Sequence, residues 1–120
     1  MKLLVVGPRG KMGRLITGIA AEREDITLVG GVAPSGRDYI GTDLGEVAMI
    51  GRSLGVPVVS DVEELIDKCD VIIDFATVEQ AMVTLEAAVR HKKALICGTT
   101  GFNAEQRSTF EEAGKVIPVM

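Results

Sequence analysis

Near its amino terminus the hydrophobic period of this chain changes abruptly across glycines. Leu3 to Val6 is an unbroken apolar run, Gly7-Pro8-Arg9-Gly10-Lys11-Met12-Gly13 follows, and Met12, Leu15, Ile16 and Ile19 then recur at helical spacing. A strand, a glycine-rich turn and a helix in that order form the geometry of a dinucleotide site. The glycines let main chain approach a pyrophosphate, and the helix N-terminus offers it unpaired N–H groups and a positive dipole end. The spacing is Gly-x-x-Gly-x-x-Gly, because Pro8 stands where a Gly-x-Gly-x-x-Gly ending on Gly10 and Gly13 would need its first glycine. Pro8 has no N–H, so the expected phosphate donors are the amides of Arg9, Gly10, Lys11 and Met12. A strand-to-helix turn of this kind also forms without a ligand. Its place after the first strand of an alternating chain favours the nucleotide reading.

That alternation runs through all 120 residues. The pattern predicts strands at Lys2 to Val6, Ile26 to Val32, Val58-Val59, Val71 to Phe75, Ala94 to Cys97 and Val116 to Met120. Between them it predicts helices at Gly10 to Glu24, near Leu44 to Ile50, at Val62 to Lys68, at Val78 to His91 and at Ala104 to Ala113. Ser60 or Asp61 and Asn103 are candidate N-caps, and Gly114 a helix stop. Residues are 47% hydrophobic and only 3% aromatic, so the core must be Val, Ile, Leu, Ala and Met, which suits a parallel sheet covered by helices. The expectation is one domain, residues 1–120, with an α/β Rossmann-type doubly wound sheet of about six strands in the order 3-2-1-4-5-6. The turns after strands one, four and five then lie together at the carboxyl end of the sheet. A cofactor laid across them has its pyrophosphate at the first and its nicotinamide at the other two.

Several partner classes are disfavoured. The net charge is −4 with no Lys/Arg block and no aromatic platform, which argues against nucleic acid. No apolar run approaches the roughly 18 residues of a membrane helix. Cys69 and Cys97 are isolated and read as buried thiols of a cytoplasmic protein, and His91 is the one histidine, so no metal site is expected. Arg90-His91-Lys92-Lys93 closes a predicted helix, where its charge complements the negative end of the dipole.

Four segments together resemble the N-terminal half of the dihydrodipicolinate reductase (4-hydroxy-tetrahydrodipicolinate reductase) family. They are Val6-Gly7-Pro8-Arg9-Gly10-Lys11-Met12-Gly13, Ile40-Gly41-Thr42-Asp43-Leu44-Gly45-Glu46, Ile73-Asp74-Phe75 and Gly98-Thr99-Thr100-Gly101-Phe102. The resemblance implies NADH or NADPH as cofactor. It also implies hydride transfer to a cyclic imine dicarboxylate in lysine and diaminopimelate biosynthesis, and a homo-oligomeric intact enzyme. It assigns the cofactor to Gly7, Pro8, Arg9, Gly10, Lys11, Met12 and Gly13 at the pyrophosphate, and to Phe75, Ala76, Gly98, Thr99 and Thr100 at the nicotinamide. Thr100 is also a substrate contact. The alternative for the two threonines is hydrogen bonding within their turn.

The chain departs from the family pattern in two places. The acidic residue that usually follows strand two is replaced by Ala33, with Ser35 and Arg37 nearby. Ser35 and Arg37 can meet a 2′-phosphate, which points to NADPH, or they can belong to a solvated loop. The family's substrate domain, with the His and Lys that donate a proton and bind carboxylate, follows the segment seen here. No catalytic residue is therefore expected within residues 1–120, and the chain by itself is expected to be inactive. The competing readings are a stand-alone nucleotide-binding or sensor module, and the cofactor domain of another reductase such as homoserine or aspartate-semialdehyde dehydrogenase. Gly98-Thr99-Thr100-Gly101-Phe102 argues against the latter.

Overall fold

A computed structural model describes all residues, 1–120. In chain order its elements are β1 (Lys2–Val6), α1 (Lys11–Ala21), β2 (Thr27–Val32), α2 (Leu44–Val47), β3 (Val58–Val59), 3-10 turns at Val62–Glu64 and Ile66–Lys68, β4 (Val71–Asp74), α3 (Val78–His91), β5 (Ala94–Cys97) and α4 (Ala104–Ala113). The strands make one parallel sheet, ordered β3-β2-β1-β4-β5. This is the expected Rossmann-type arrangement. The winding reverses at β1, which β2 and β4 flank, and the crevice of a doubly wound sheet opens at such a point.

β1 is central because its apolar run serves both faces. Leu3, Leu4, Val5 and Val6 are each at most 1% exposed. Leu4 and Val6 join Ile72, Leu85, Ala88 and Leu95 in the larger core, while Leu3 and Val5 join Ala20 in a smaller one beneath α1. Each such side chain contributes roughly 1.5–3 kcal/mol of transfer free energy. β4 alternates between buried and half-buried positions rather than being buried on both faces, with Val71 and Ile73 on the less covered side.

The sixth strand is rudimentary. Val116 and Ile117 donate their N–H groups back to the Ala113 carbonyl and so prolong the end of α4. Pro118 has no N–H to give. Only the last three residues reach β5, through one parallel bridge between Leu95 and Val119 and hydrogen bonds flanking it. The sheet therefore has five strands, not six. Val62 to Lys68 similarly forms two 3-10 turns, the first capped by the Asp61 carboxylate, instead of one helix.

α1 lies on the sheet through Gly13, Thr17 and Ala20. Of the residues whose spacing predicts that helix, Ile16 packs on the core of Leu3, Val5 and Ala20, whereas Met12, Leu15 and Ile19 point the other way and are 42%, 54% and 56% exposed. At the far end of α3, Lys92 takes a left-handed conformation and closes the helix. Glu63 Oε1 lies 2.8 Å from both Arg90 Nη1 and His91 Nε2, and His91 Nδ1 is 3.2 Å from Asp67 Oδ1. His91 thus ties α3 to the 3-10 turns and stays away from the carboxyl ends of the strands.

The motif around Asp43 is architectural. Its carboxylate accepts N–H bonds from Gly45 at 2.8 Å, Leu54 at 2.8 Å and Gly55 at 2.7 Å, capping α2 and closing the following loop on it. Burial opposes the charge, but the N–H groups of Leu54, Gly55 and Gly45 hold this carboxyl below its ordinary value of 3.8. A depressed folded-state pKa gives stability that is present above the unfolded value and lost as pH falls through the folded one. Asp43→Ala is expected to cost about 1–3 kcal/mol at neutral pH by urea denaturation, since it strands three donors. That deficit should narrow once the pH is taken below 3.8. An equal deficit in acid and at neutrality contradicts the role.

Candidate functional site

The turn after β1 is held from both sides. Gly7 has φ +82° and donates its N–H to the Val32 carbonyl at 2.9 Å. A Cβ there would sit 3.2 Å from the Phe75 carbonyl oxygen and 3.3 Å from Ala76 Cβ, so a side chain would be strained by the conformation and crowded by these neighbours. Pro8 is buried in this turn. At Gly13 a Cβ would collide with the Gly7 carbonyl, so the helix can approach the turn this closely only with glycine. Gly10 differs: its backbone is extended, and a Cβ would meet nothing of the protein nearer than the Gly7 carbonyl at 3.7 Å. Nothing in the fold itself requires glycine at position 10.

The start of α1 is electrostatically open. Gly10 is its N-cap without a side-chain hydrogen bond, and its first turn has no acidic residue. By contrast Asp43, Thr77 and Asn103 cap α2, α3 and α4, the last with a full capping box. Arg14 is the first residue of α1 to find a helical acceptor, the Gly10 carbonyl at 2.9 Å. The N–H groups of Arg9, Lys11, Met12 and Gly13 have no acceptor in the protein, whereas the Gly10 N–H donates to the Gly7 carbonyl at 3.3 Å. The set of free donors thus differs from the predicted Arg9 to Met12 by losing Gly10 and gaining Gly13. Such a bare helix start is a ready anion site.

The turns after β4 and β5 face it. Phe75 N–H donates to Val6 at 3.3 Å, Gly98 N–H to Asp74 at 2.8 Å, and the Thr99 hydroxyl to the Ala76 carbonyl at 3.5 Å. The Phe75 ring lies where a Cβ of Gly98 would be, so glycine is needed there for the ring to pack. The three turns enclose a cleft of about 370 Å³ lined by Lys11, Met12, Phe75 to Val78, and Gly98 to Thr100. Lys11, Met12, Phe75, Ala76, Gly98, Thr99 and Thr100 are therefore brought together as the sequence suggests. Thr77, part of the turn expected after the fourth strand but not among the expected cofactor contacts, joins them as the N-cap of α3, and Val78, the first residue of that helix, joins them unanticipated.

The loop after β2 lies apart from this cleft. Ala33 is buried and donates its N–H to Val59 at 2.9 Å. Ser35 and Arg37 are exposed. The Arg9 guanidinium sits 5.4 Å above the Tyr39 ring and so links the β1 turn to this loop. A larger groove, about 820 Å³, runs between α3 and α4 among Met82, Val83, Leu85, Val89, Ala113 and Val116, with no glycine turn or free helix start in its lining. Cys69 is buried, but Cys97 is only half-buried.

Comparison with known proteins places this geometry. The family described as dihydrodipicolinate reductase, N-terminus, matches residues 1–120. The 4-hydroxy-tetrahydrodipicolinate reductases of Burkholderia thailandensis and Geobacter metallireducens are 36% and 38% identical over 120 residues, covering 100% of this chain and 44% of each of those proteins. The chain thus spans less than half the length of these relatives. A solved structure of dipicolinate-bound dihydrodipicolinate reductase from Paenisporosarcina sp. TG-14 superposes with a TM-score of 0.74 at 30% identity, over 97% of this chain and 43% of that one. A Rex-family repressor, 18% identical with a TM-score of 0.68 over 98% of the chain and 50% of its own, shares the fold. On the match of residues 1–120 and these identities, the chain belongs to the dihydrodipicolinate reductase N-terminal family.

Proposed function

We propose that this chain is the nicotinamide-dinucleotide-binding part of a reductase that acts on a cyclic imine dicarboxylate, in the cytoplasmic synthesis of lysine and diaminopimelate. The observation that carries the reading is the uncapped start of α1, with its free N–H groups, opening onto the cleft shared with the β4 and β5 turns. The fit to a dinucleotide is specific. The free N–H groups of Lys11, Met12 and Gly13 hold the pyrophosphate, and Gly10 leaves that approach clear. Phe75, Ala76, Gly98, Thr99 and Thr100 form the wall for the nicotinamide, which supplies hydride when bound in its reduced form. The exposed Thr100 hydroxyl meets a substrate carboxylate.

Lys11 is the one ionisable side chain in the cleft lining. The residues that protonate the product and bind the second carboxylate therefore belong to the remainder of the whole, oligomeric enzyme. This chain supplies cofactor binding and one wall of the reaction site, and it has no turnover alone because positioning of the acceptor is missing. Ser35 and Arg37 take a 2′-phosphate, since Ala33 offers no side-chain acceptor for ribose hydroxyls and the Arg37 guanidinium can pair with the anion.

The glycine geometry separates binding from folding. Gly10→Val should keep the circular dichroism of the parent and lose dinucleotide binding by calorimetry, whereas Gly13→Val should also lose stability through its clash with the Gly7 carbonyl. Undiminished binding by folded Gly10→Val removes the pyrophosphate from this turn. For the 2′-phosphate, Arg37→Ala should weaken NADPH about tenfold and leave NADH unchanged. An equal effect on both cofactors returns Arg37 to the solvated loop.

A further inference from the structure

Beneath the β4 and β5 turns lies a carboxyl group to which none of the roles above gives work. Asp74 ends β4 and is 0% exposed. Its main chain and its side chain each hold one turn. The Asp74 carbonyl accepts the Gly98 N–H at 2.8 Å, where the β5 turn begins. Oδ1 accepts the Ala76 N–H at 2.9 Å, inside the β4 turn. Oδ2 is buried and no hydrogen bond closes on it.

The neighbours of the carboxyl decide which form it takes. The hydroxyls of Thr84, on α3, and Thr99, on the β5 turn, face it. Each already donates its single proton elsewhere: Thr84 to the Gln80 carbonyl at 2.9 Å, and Thr99 to the Ala76 carbonyl at 3.5 Å. Neither closes a hydrogen bond on Oδ2. No cation lies among the groups that act on it; the titratable neighbour is the Cys97 thiol of β5, itself pushed up by burial. An ionised Asp74 would therefore leave a buried oxyanion with no donor on Oδ2 and no cation beside it, an arrangement that low dielectric makes costly. A proton on Oδ2 removes that uncompensated charge.

We propose that Asp74 is a positioning residue held as the neutral carboxylic acid, its buried Oδ2 carrying the proton while Oδ1 and the main-chain carbonyl hold the β4 and β5 turns together. It then sets the relative placement of Phe75, Ala76 and Thr99, and so acts on the nicotinamide end of the cleft alone. The inference about the cofactor end rests on the dinucleotide reading above; the protonation state does not. Burial pushes this carboxyl up from the ordinary value of 3.8, in the same direction.

Two measurements test it. In the chain labelled with ¹³C at aspartate Cγ, with Asp74 assigned by its loss in Asp74→Asn, the Asp74 signal should stay at its protonated position from acid to neutral pH. A signal that moves with the ordinary carboxylates near 3.8 overturns the proposal. Calorimetry then compares NADH with ADP-ribose, which lacks the nicotinamide. Asp74→Ala should weaken NADH about tenfold and spare ADP-ribose, and Asp74→Asn, which keeps one acceptor and one donor, should bind both within about twofold of the parent. Equal loss of both ligands in Asp74→Ala, or a loss in Asp74→Asn as large as in Asp74→Ala, overturns it. Should Asp74→Ala fail to fold, Asp74→Asn and the Cγ titration still decide. Failure of the parent to bind either ligand defeats the dinucleotide reading instead, and the Cγ titration is unaffected by it.

Discussion

The contact between Gly13 and the Gly7 carbonyl governs the architecture of the site. No side chain fits between the first turn of α1 and the turn leaving β1. That proximity sets α1 on the sheet through Gly13, Thr17 and Ala20 and leaves the helix start facing the crevice. The Thr17 hydroxyl donates to the Gly13 carbonyl at 2.7 Å within the same buried seam. Gly7 in turn is pressed against Phe75 and Ala76, so the β1 and β4 turns are fixed relative to one another. The Phe75 ring occupies the space that Gly98 leaves vacant, which adds the β5 turn. Three glycines at close approaches thus assemble a cleft from segments spread across most of the chain.

Polarity within that cleft follows from what is left unpaired. Main-chain N–H groups at the start of α1 are available to an anion. The starts of α2, α3 and α4 are closed by side chains, so α1 alone presents an open positive end. The acidic residue at the base of the β4 and β5 turns, Asp74, lies wholly beneath them.

Much of the fold was legible because local signals and tertiary packing agree. The apolar run of β1, the cap at Asn103 and the span Val78–His91 are all where periodicity and capping chemistry put them. Disagreements arise where tertiary contacts override pattern. Met12, Leu15 and Ile19 have helical spacing yet face outward, because close packing on a turn selects small residues instead. Val116 to Met120 looks like a strand, but its first two residues are drawn into the end of α4 and Pro118 interrupts the ladder. Of the site, the glycine turns were readable from spacing. The engagement of the Gly10 N–H, the freedom of that of Gly13 and the orphaned Oδ2 of Asp74 were not, since each depends on atoms that only folding brings together. Asp43 shows the converse: a motif that marks the family does its work by closing a loop, remote from the cleft lining.

The central claim is that one ligand spans the three turns. Titrating ¹⁵N-labelled chain with NADPH and following the backbone amides tests it directly. The account predicts that the largest shifts fall at Lys11 to Gly13, at Phe75 to Val78 and at Gly98 to Thr100, saturating together with a single dissociation constant. Shifts centred on the groove between α3 and α4, at Met82, Val89 and Ala113, with the three turns unmoved, would contradict it.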